Sequence, residues 1–266
     1  MNEKSVSLFG SCRVYRPFLK QYKSIVYNNV FPGVDVHFPK VGFFHSIKEI
    51  TQCLRFIKSG ITEAELQYSQ YLFRKEPEHT TPSNIFNTGV WDAEDYSLLV
   101  NNEMSSIDVL VLEISSLDYF YHADSGLCFH WNPNRHNNAS YGSIYPDGYY
   151  NTFEKQLGVE KKVCDDSDIL SSISEIKEMY PDTEIIITGH INDKGPRSKT
   201  RHELNKVLQR CCAGMQHVHY FDNNAVFEKY GYAINQEGIV DIHHLSHQGE
   251  LVLGNELQSF ILGLSK

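Results

Sequence analysis

Two short stretches at opposite ends of the 266-residue sequence carry the residue types of nucleophilic catalysis. Near the N-terminus, "SVSLFGSCRVYRP" runs from an apolar segment, Val6 to Phe9, through Gly10 to Ser11 and Cys12. A hydroxyl and a thiol, side by side at the exit of a strand, are both candidates to attack an electrophilic carbon. Near the C-terminus, "VDIHHLSHQGELVLGNEL" spaces Asp241 and His244 three apart, ahead of an amphipathic segment. If the chain turns tightly there, the Asp241 carboxylate reaches Nδ1 of His244, fixes its tautomer and steadies its protonated form. Nε2 is then left to take a proton from a nucleophile. Arg13 and Arg16 place positive charge beside the pair, which favours a thiolate or an anionic substrate.

Positioning these groups needs a scaffold, and the chain is long enough for one large α/β domain with a sizeable core. The strand candidates are Ser5–Phe9, Ser24–Asn28, Ile107–Glu113, Glu184–Thr188 and His217–Phe221. "IDVLVLEI" and "EIIITG" are nearly continuous apolar runs, as in strands covered on both faces of a parallel sheet. Between the strands, "SIKEITQCLRFIKSG" sets Ile47, Ile50, Leu54 and Ile57 on one helical stripe, with Gly60 as its stop signal. "DSDILSSISEIKEMYP", "KTRHELNKVLQRCCAG" and "SHQGELVLGNELQSFILGL" read as further helices. Strands alternating with helices predict a doubly wound α/β fold, with its ligand site at the carboxyl ends of the strands.

This combination resembles the SGNH/GDSL hydrolase superfamily: a strand ending in Phe-Gly, small nucleophilic residues, and a C-terminal D-x-x-H-L-S before the last helix. The resemblance implies a three-layer α/β/α, flavodoxin-like domain with a central parallel sheet of about five strands. It also implies cleavage or transfer of acyl groups on esters, often on carbohydrates. The Gly-Ser-Cys form of the first block is similar to the GSCFA subgroup and to certain capsule-polysaccharide acetyltransferases of this fold. Laid on the family's F-G-D-S, Gly10 matches the glycine, Ser11 falls on the aspartate and Cys12 on the nucleophile. Cys12 would then attack, with Ser11 its rival, His244 the base and Asp241 its orienter. The backbone of Ser11 and Cys12 would hold the oxyanion.

The family's second block supplies a glycine N–H, for which "KVGFFHSIKEITQ" offers Gly42, with His45 close behind. The third block, G-x-N-D in the family, is here "EISSLDYF", without glycine or asparagine. Ser115 or Ser116 would donate in place of the missing asparagine, or Glu113 would face the pocket. "TGHIND" imitates that block one strand late and would line the pocket rim through His190 and Asn192. Loss of one oxyanion donor costs roughly 10²–10³ in rate, so this departure bears on simple ester hydrolysis. Three functions follow from the resemblance: hydrolysis of an O-acyl group on a carbohydrate, transfer of acetyl from acetyl-CoA to a sugar hydroxyl, and carbohydrate binding without catalysis. Acetyl-CoA as donor is the only cofactor implied.

The remaining features exclude or bound. A net charge of -9 disfavours a nucleic-acid surface, which needs clustered Lys and Arg. No apolar run approaches the roughly 18–20 residues of a membrane helix, and no export signal precedes the first strand. A cytoplasmic protein is the expectation, and its six cysteines, without a C-x-x-C pair, read as reduced thiols. His243 and His247 would be four apart on one face and able to bind zinc if that segment were helical; D-x-x-H accounts for the cluster without metal, and no metal is expected. His217 and His219 alternate on a strand and read as neighbours on one face. The chain reads as a single domain, 1–266, with insertions at about 61–105 and 118–160. The second is rich in Asn, Gly, Tyr and Trp, unsuited to a regular core element, and a candidate lid.

Overall fold

The computed structural model describes residues 3–22, 25–28, 32–37, 44–68, 72, 107–129, 159–191, 198–234 and 237–264. Its centre is a five-stranded parallel sheet built from β1 (Lys4–Phe9), β4 (Val34–His37), β5 (Val109–Glu113), β9 (Glu184–Thr188) and β10 (Val218–Tyr220). In space the order is β10-β9-β5-β1-β4. Numbered along the chain that is 2-1-3-4-5, the flavodoxin-like winding, whose direction reverses between β1 and β5. The expected three-layer α/β/α fold with about five parallel strands is therefore the observed one.

Period-two alternation gives the sheet its two faces. Leu110, Leu112, Ile185, Ile187 and Phe9 point into one core, while Val6, Leu8, Val109, Val111 and Ile186 point into the other. On the first face pack α2 (Ile47–Ser59), α4 (Asp166–Met179) and α5 (Ser198–Cys212). On the second lie α1 (Cys12–Tyr15), α6 (Asn224–Tyr230) and α7 (His247–Gly263). Burying each Ile, Leu or Phe completely contributes about 1.5–3 kcal/mol.

Local signals start and stop these helices. Ser46 and Glu49 form a reciprocal capping box at α2, which ends at Gly60 with φ +81°. Asp165 and Asp168 repeat the box at α4. Ser246 caps α7 by accepting from Gly249 N–H at 3.2 Å. At the other end of α7, the Lys4 ammonium donates to Ile261 O and Leu264 O, at 2.9 and 2.6 Å, a cation at the helix C-terminus.

The structure corrects three expectations. The second strand of the sheet is not at Ser24–Asn28: Ile25–Asn28 forms β3, an antiparallel hairpin with β2 (Leu19–Tyr22) outside the central sheet. The edge position beside β1 goes to Val34–His37, whose "VDVH" buries Val34 and exposes Asp35, an alternation suited to a short edge strand. The segment from 118 begins with regular structure rather than irregular loop. There β6 (Asp118–His122) and β7 (Leu127–Phe129) join β8 (Val159–Val163) in an antiparallel sheet of order β7-β6-β8. Phe129 is fully buried, and Gln52 of α2 bonds both N–H and C=O of Cys128 at 2.7 and 2.8 Å. The candidate lid, 130–158, lies outside the described residues, as does most of 61–105, where α3 (Glu63–Leu66) and Leu72 are described. The helical premise for a zinc pair also fails. His243 belongs to strand β12 (Val240–Leu245), and His247 opens α7.

Candidate active site

The site lies at the carboxyl ends of β1 and β5, where the sheet reverses its winding. Gly10 ends β1 with φ +155°, and a Cβ there would stand 2.6 Å from Glu113 Cβ and 2.9 Å from Glu113 O. Glycine is thus required for the two strand ends to come this close. Ser11 is the N-cap of α1, and Cys12 is its first residue.

The Cys12 sulfur lies 2.8 Å from His244 Nε2, and His244 Nδ1 lies 2.6 Å from Asp241 Oδ2. A carboxylate only accepts, so Nδ1 carries the proton and Nε2 faces the sulfur. In a regular strand, residues three apart point to opposite faces, so D-x-x-H cannot work there. A bulge resolves this. In the hairpin of β11 (Tyr232–Ile234) with β12, Tyr232 pairs with Leu245 but Ala233 pairs with Asp241. The residues between, including His244, loop out of register and turn the imidazole back over the carboxylate. Asp241 also accepts from His243 N–H at 2.9 Å.

The electrostatics favour an ion pair. Burial opposes a thiolate at Cys12, but the hydrogen bond and charge of His244, with the Arg13 guanidinium, outweigh it and lower the thiol below its ordinary range. Burial likewise opposes imidazolium at His244, yet the bonds to Cys12 and Asp241 raise it above the usual histidine value, against the charge of Arg16. Burial raises and His244 lowers the Asp241 carboxyl, with a net downward shift. Burial pushes the other five cysteines up, Cys128, Cys164 and Cys212 to about 12.

Beneath the turn sits a buried carboxylate. Glu113, the last residue of β5 and 1% exposed, accepts from Ser11 N–H at 2.7 Å and from Arg13 Nε at 2.8 Å. The ion pair draws Arg13 down beside Cys12. Arg16, further along, pairs with Glu250 of α7 at 2.8 Å. A cavity of about 30 Å³ adjoins these groups, lined among others by Arg13, Glu113, Thr188, Asn223, His244 and Glu250.

Other expected site residues fall elsewhere. Ser11 is buried, and its hydroxyl accepts from Arg13 N–H at 3.4 Å as a cap; among the described residues it makes no bond to His244. Its own N–H, expected to share an oxyanion, is taken by Glu113. Ser115 and Ser116 already have partners. Ser115 Oγ pairs with His45 Nδ1 at 2.9 Å, Ser116 Oγ accepts from Asp118 N–H, and both backbone N–H groups donate to His45 O. His45 is therefore tied to the end of β5. His190 is buried rather than at a rim, its Nδ1–H donating to Ile191 O at 2.9 Å. Burial, with Arg13 and Arg201 nearby, holds it neutral. Gly42 and Asn192 lie outside the described residues.

Sequence reading missed Arg201, Asn205 and Asn223. Arg201 Nη1 donates to Ile242 O at 2.9 Å and Nη2 to His243 Nδ1 at 3.3 Å. Asn205 and Asn223 donate to His190 O and Gly189 O, at 2.7 and 2.8 Å. One signal was present: Arg201 and Asn205 share the i, i+3, i+4, i+7 stripe of α5 with Leu204 and Leu208, and polar side chains on an apolar stripe need internal partners. Among the described residues, no group of three or more His, Cys, Asp or Glu is arranged to hold a metal ion.

No family model and no curated protein matches the sequence. Solved structures to which the chain is similar include a family two carbohydrate esterase from Clostridium thermocellum in complex with cellohexaose, at 12% identity and TM-score 0.38, covering 98% of this chain and 64% of that one. Another is a carbohydrate esterase family 2 enzyme with a carbohydrate-binding domain from Corynascus thermopiles, at 11% identity and TM-score 0.42, covering 98% and 67%. A third is phospholipase A1 from Streptomyces albidoflavus, at 16% and 0.29, covering 60% and 75%. The chain thus spans about two thirds of the carbohydrate esterase chains.

Proposed function

We propose that the protein is an acyl-ester hydrolase or acyltransferase of the SGNH type that works through a Cys12–His244–Asp241 triad. The observation that carries this reading is the alignment of sulfur, imidazole and carboxylate at 2.8 and 2.6 Å, at the reversal point of a doubly wound sheet. The Cys12 thiolate attacks the ester carbonyl carbon, and the carbonyl electrons move onto oxygen. Collapse expels the alkoxide, which takes its proton from the His244 imidazolium and leaves an S-acyl enzyme. Water or an acceptor hydroxyl then gives its proton to His244 as it attacks the thioester, and the thiolate leaves. Asp241 keeps Nδ1 protonated throughout. The Cys12 N–H, to which no acceptor is bonded among the described residues, and the Gly42 N–H are the oxyanion donors of this scheme. The substrate class, an O-acylated carbohydrate, and the GSCFA or capsule-acetyltransferase subgroup rest on the sequence resemblance.

A chromogenic acetyl ester tests the chemistry, with mass spectrometry locating the acyl adduct. The wild type is expected to turn over, with the adduct on Cys12, and Cys12→Ala to lose at least about 10³-fold in kcat. An adduct on Ser11, abolished by Ser11→Ala, would move the nucleophile to the hydroxyl. Equal rates in wild type and both variants would remove covalent catalysis.

A further inference from the structure

The hairpin that carries His244 is not held by its own strands alone. Its bulge leaves ladder positions unpaired, and the Ile242 carbonyl inside it faces α5 rather than a partner strand. There the Arg201 side chain, 4% exposed, grips both Ile242 O and His243 Nδ1 with the two arms of its guanidinium. A guanidinium only donates, so Ile242 O and His243 Nδ1 are the acceptors of this fork. One turn further along α5, Asn205 holds the His190 carbonyl of the loop after β9, and Gly189 leaves room for it: a Cβ at 189 would fall 1.8 Å from Asn205 Oδ1. A single helix face thus fastens two segments at the carboxyl edge of the sheet.

We infer that Arg201 is a positioning residue, which sets the bulge of β12 so that His244 meets the Cys12 sulfur. The inference rests on the triad chemistry proposed above. Arg201 acts on the strand that carries His244 through its bond to the Ile242 carbonyl. It differs from a general core residue because its two bonds end on the residues immediately before His244. The charged and titratable groups around the imidazole include Cys12 and Arg13 from α1, Arg16 just after it, Glu113 from β5, Glu250 from α7, and Asp241 and His243 from its own strand. His190 packs near His243, with ring centres 6.2 Å apart. Without the Arg201 fork, the bulge is free to relax and to carry the His244 imidazole away from the sulfur.

The test measures the rate of Cys12 alkylation by iodoacetamide across about pH 5 to 9, where a low thiol pKa shows as an early acid limb. Steady-state kinetics on the chromogenic ester run alongside. In Arg201→Met, the acid limb is expected to move to higher pH, and kcat to fall about 100-fold with KM unchanged, the cost of a misplaced catalytic group. Arg201→Lys, which retains a cation but not the fork, should fall between. If Arg201→Met does not fold, as judged by circular dichroism, the lysine variant carries the same comparison. A folded variant with wild-type limb and kcat overturns the positioning role. A wild type whose Cys12 titrates as a free thiol, near about 8.5, overturns the triad chemistry and with it the role of Arg201.

Discussion

At the scale of single residues, Cys12 and His244 form one titrating unit, and protons leave the pair in two macroscopic steps. The thiol is shifted down and the imidazole up. The thiolate–imidazolium form therefore appears as pH rises through the lowered thiol value and disappears as pH passes the raised imidazole value. A bell-shaped kcat/KM on the chromogenic ester should result, with an acid limb below the ordinary thiol range and an alkaline limb above the ordinary histidine range. Cys12→Ser should lose the alkaline limb and keep an acid limb, because an alkanol does not ionise in this range and needs the neutral His244 imidazole as its base. A wild-type profile that only rises through the ordinary thiol range would contradict the shifted pair. That these two residues and Asp241 come together was legible in the sequence because each sits in a short motif. The choice between Ser11 and Cys12 was not legible. Ser11 turns into the α1 cap while the Cys12 sulfur faces His244, an arrangement of the turn that no local motif encodes. Glu113 was visible only as a residue near the pocket, since nothing local reveals that its carboxylate reaches back to a turn 102 residues away.

At the scale of elements, the turn between β1 and α1 is set by how closely two strand ends approach. Gly10→Ala should therefore act on stability and site together. Its Cβ would meet Glu113 Cβ at 2.6 Å, backbone and first side-chain carbon rather than a flexible tip. Chemical denaturation is expected to show a loss of about 1–3 kcal/mol, the usual cost of overpacking a buried contact, and the alkylation rate of Cys12 should fall with it. Unchanged stability would mean that the strand ends part without cost. The helices were legible because capping boxes and apolar stripes are local, and Ser46, Glu49, Asp165 and Asp168 announce their starts. The strands were legible where both faces are buried, as in β5 and β9. Val34–His37 was not, because a short half-exposed edge strand has little apolar signal. The β12 bulge was hidden for another reason. D-x-x-H reads as a turn in sequence, whereas the fold achieves the same reach by slipping register against β11.

At the scale of the whole molecule, the two edges of the sheet hold different clusters. At the amino end of β9, Glu184 accepts from both His217 Nδ1 and His219 Nε2, each at 2.7 Å. Burial raises the Glu184 carboxyl, but the two imidazoles outweigh it and bring it below its ordinary value. A carboxyl lowered by folding stabilises above its unfolded pKa, and that contribution disappears as pH falls through the folded value. Melting temperature is expected to drop more steeply on acidification in the wild type than in Glu184→Gln; parallel curves would assign the acid sensitivity elsewhere. The fold class itself was legible from alternation of strands and helices, whereas the 2-1-3-4-5 order was not, since it is decided by which edge each crossover reaches. Finally, sulfur and imidazole stand 232 positions apart. A polypeptide emerging from the ribosome amino end first carries its sulfur long before the imidazole that activates it has been synthesised. Until the last helix has docked, that sulfur has ordinary thiol reactivity. The pairing of sulfur and imidazole is thus withheld until β12 has been made and has docked, and a chain cut short before β12 has the thiol without its partner.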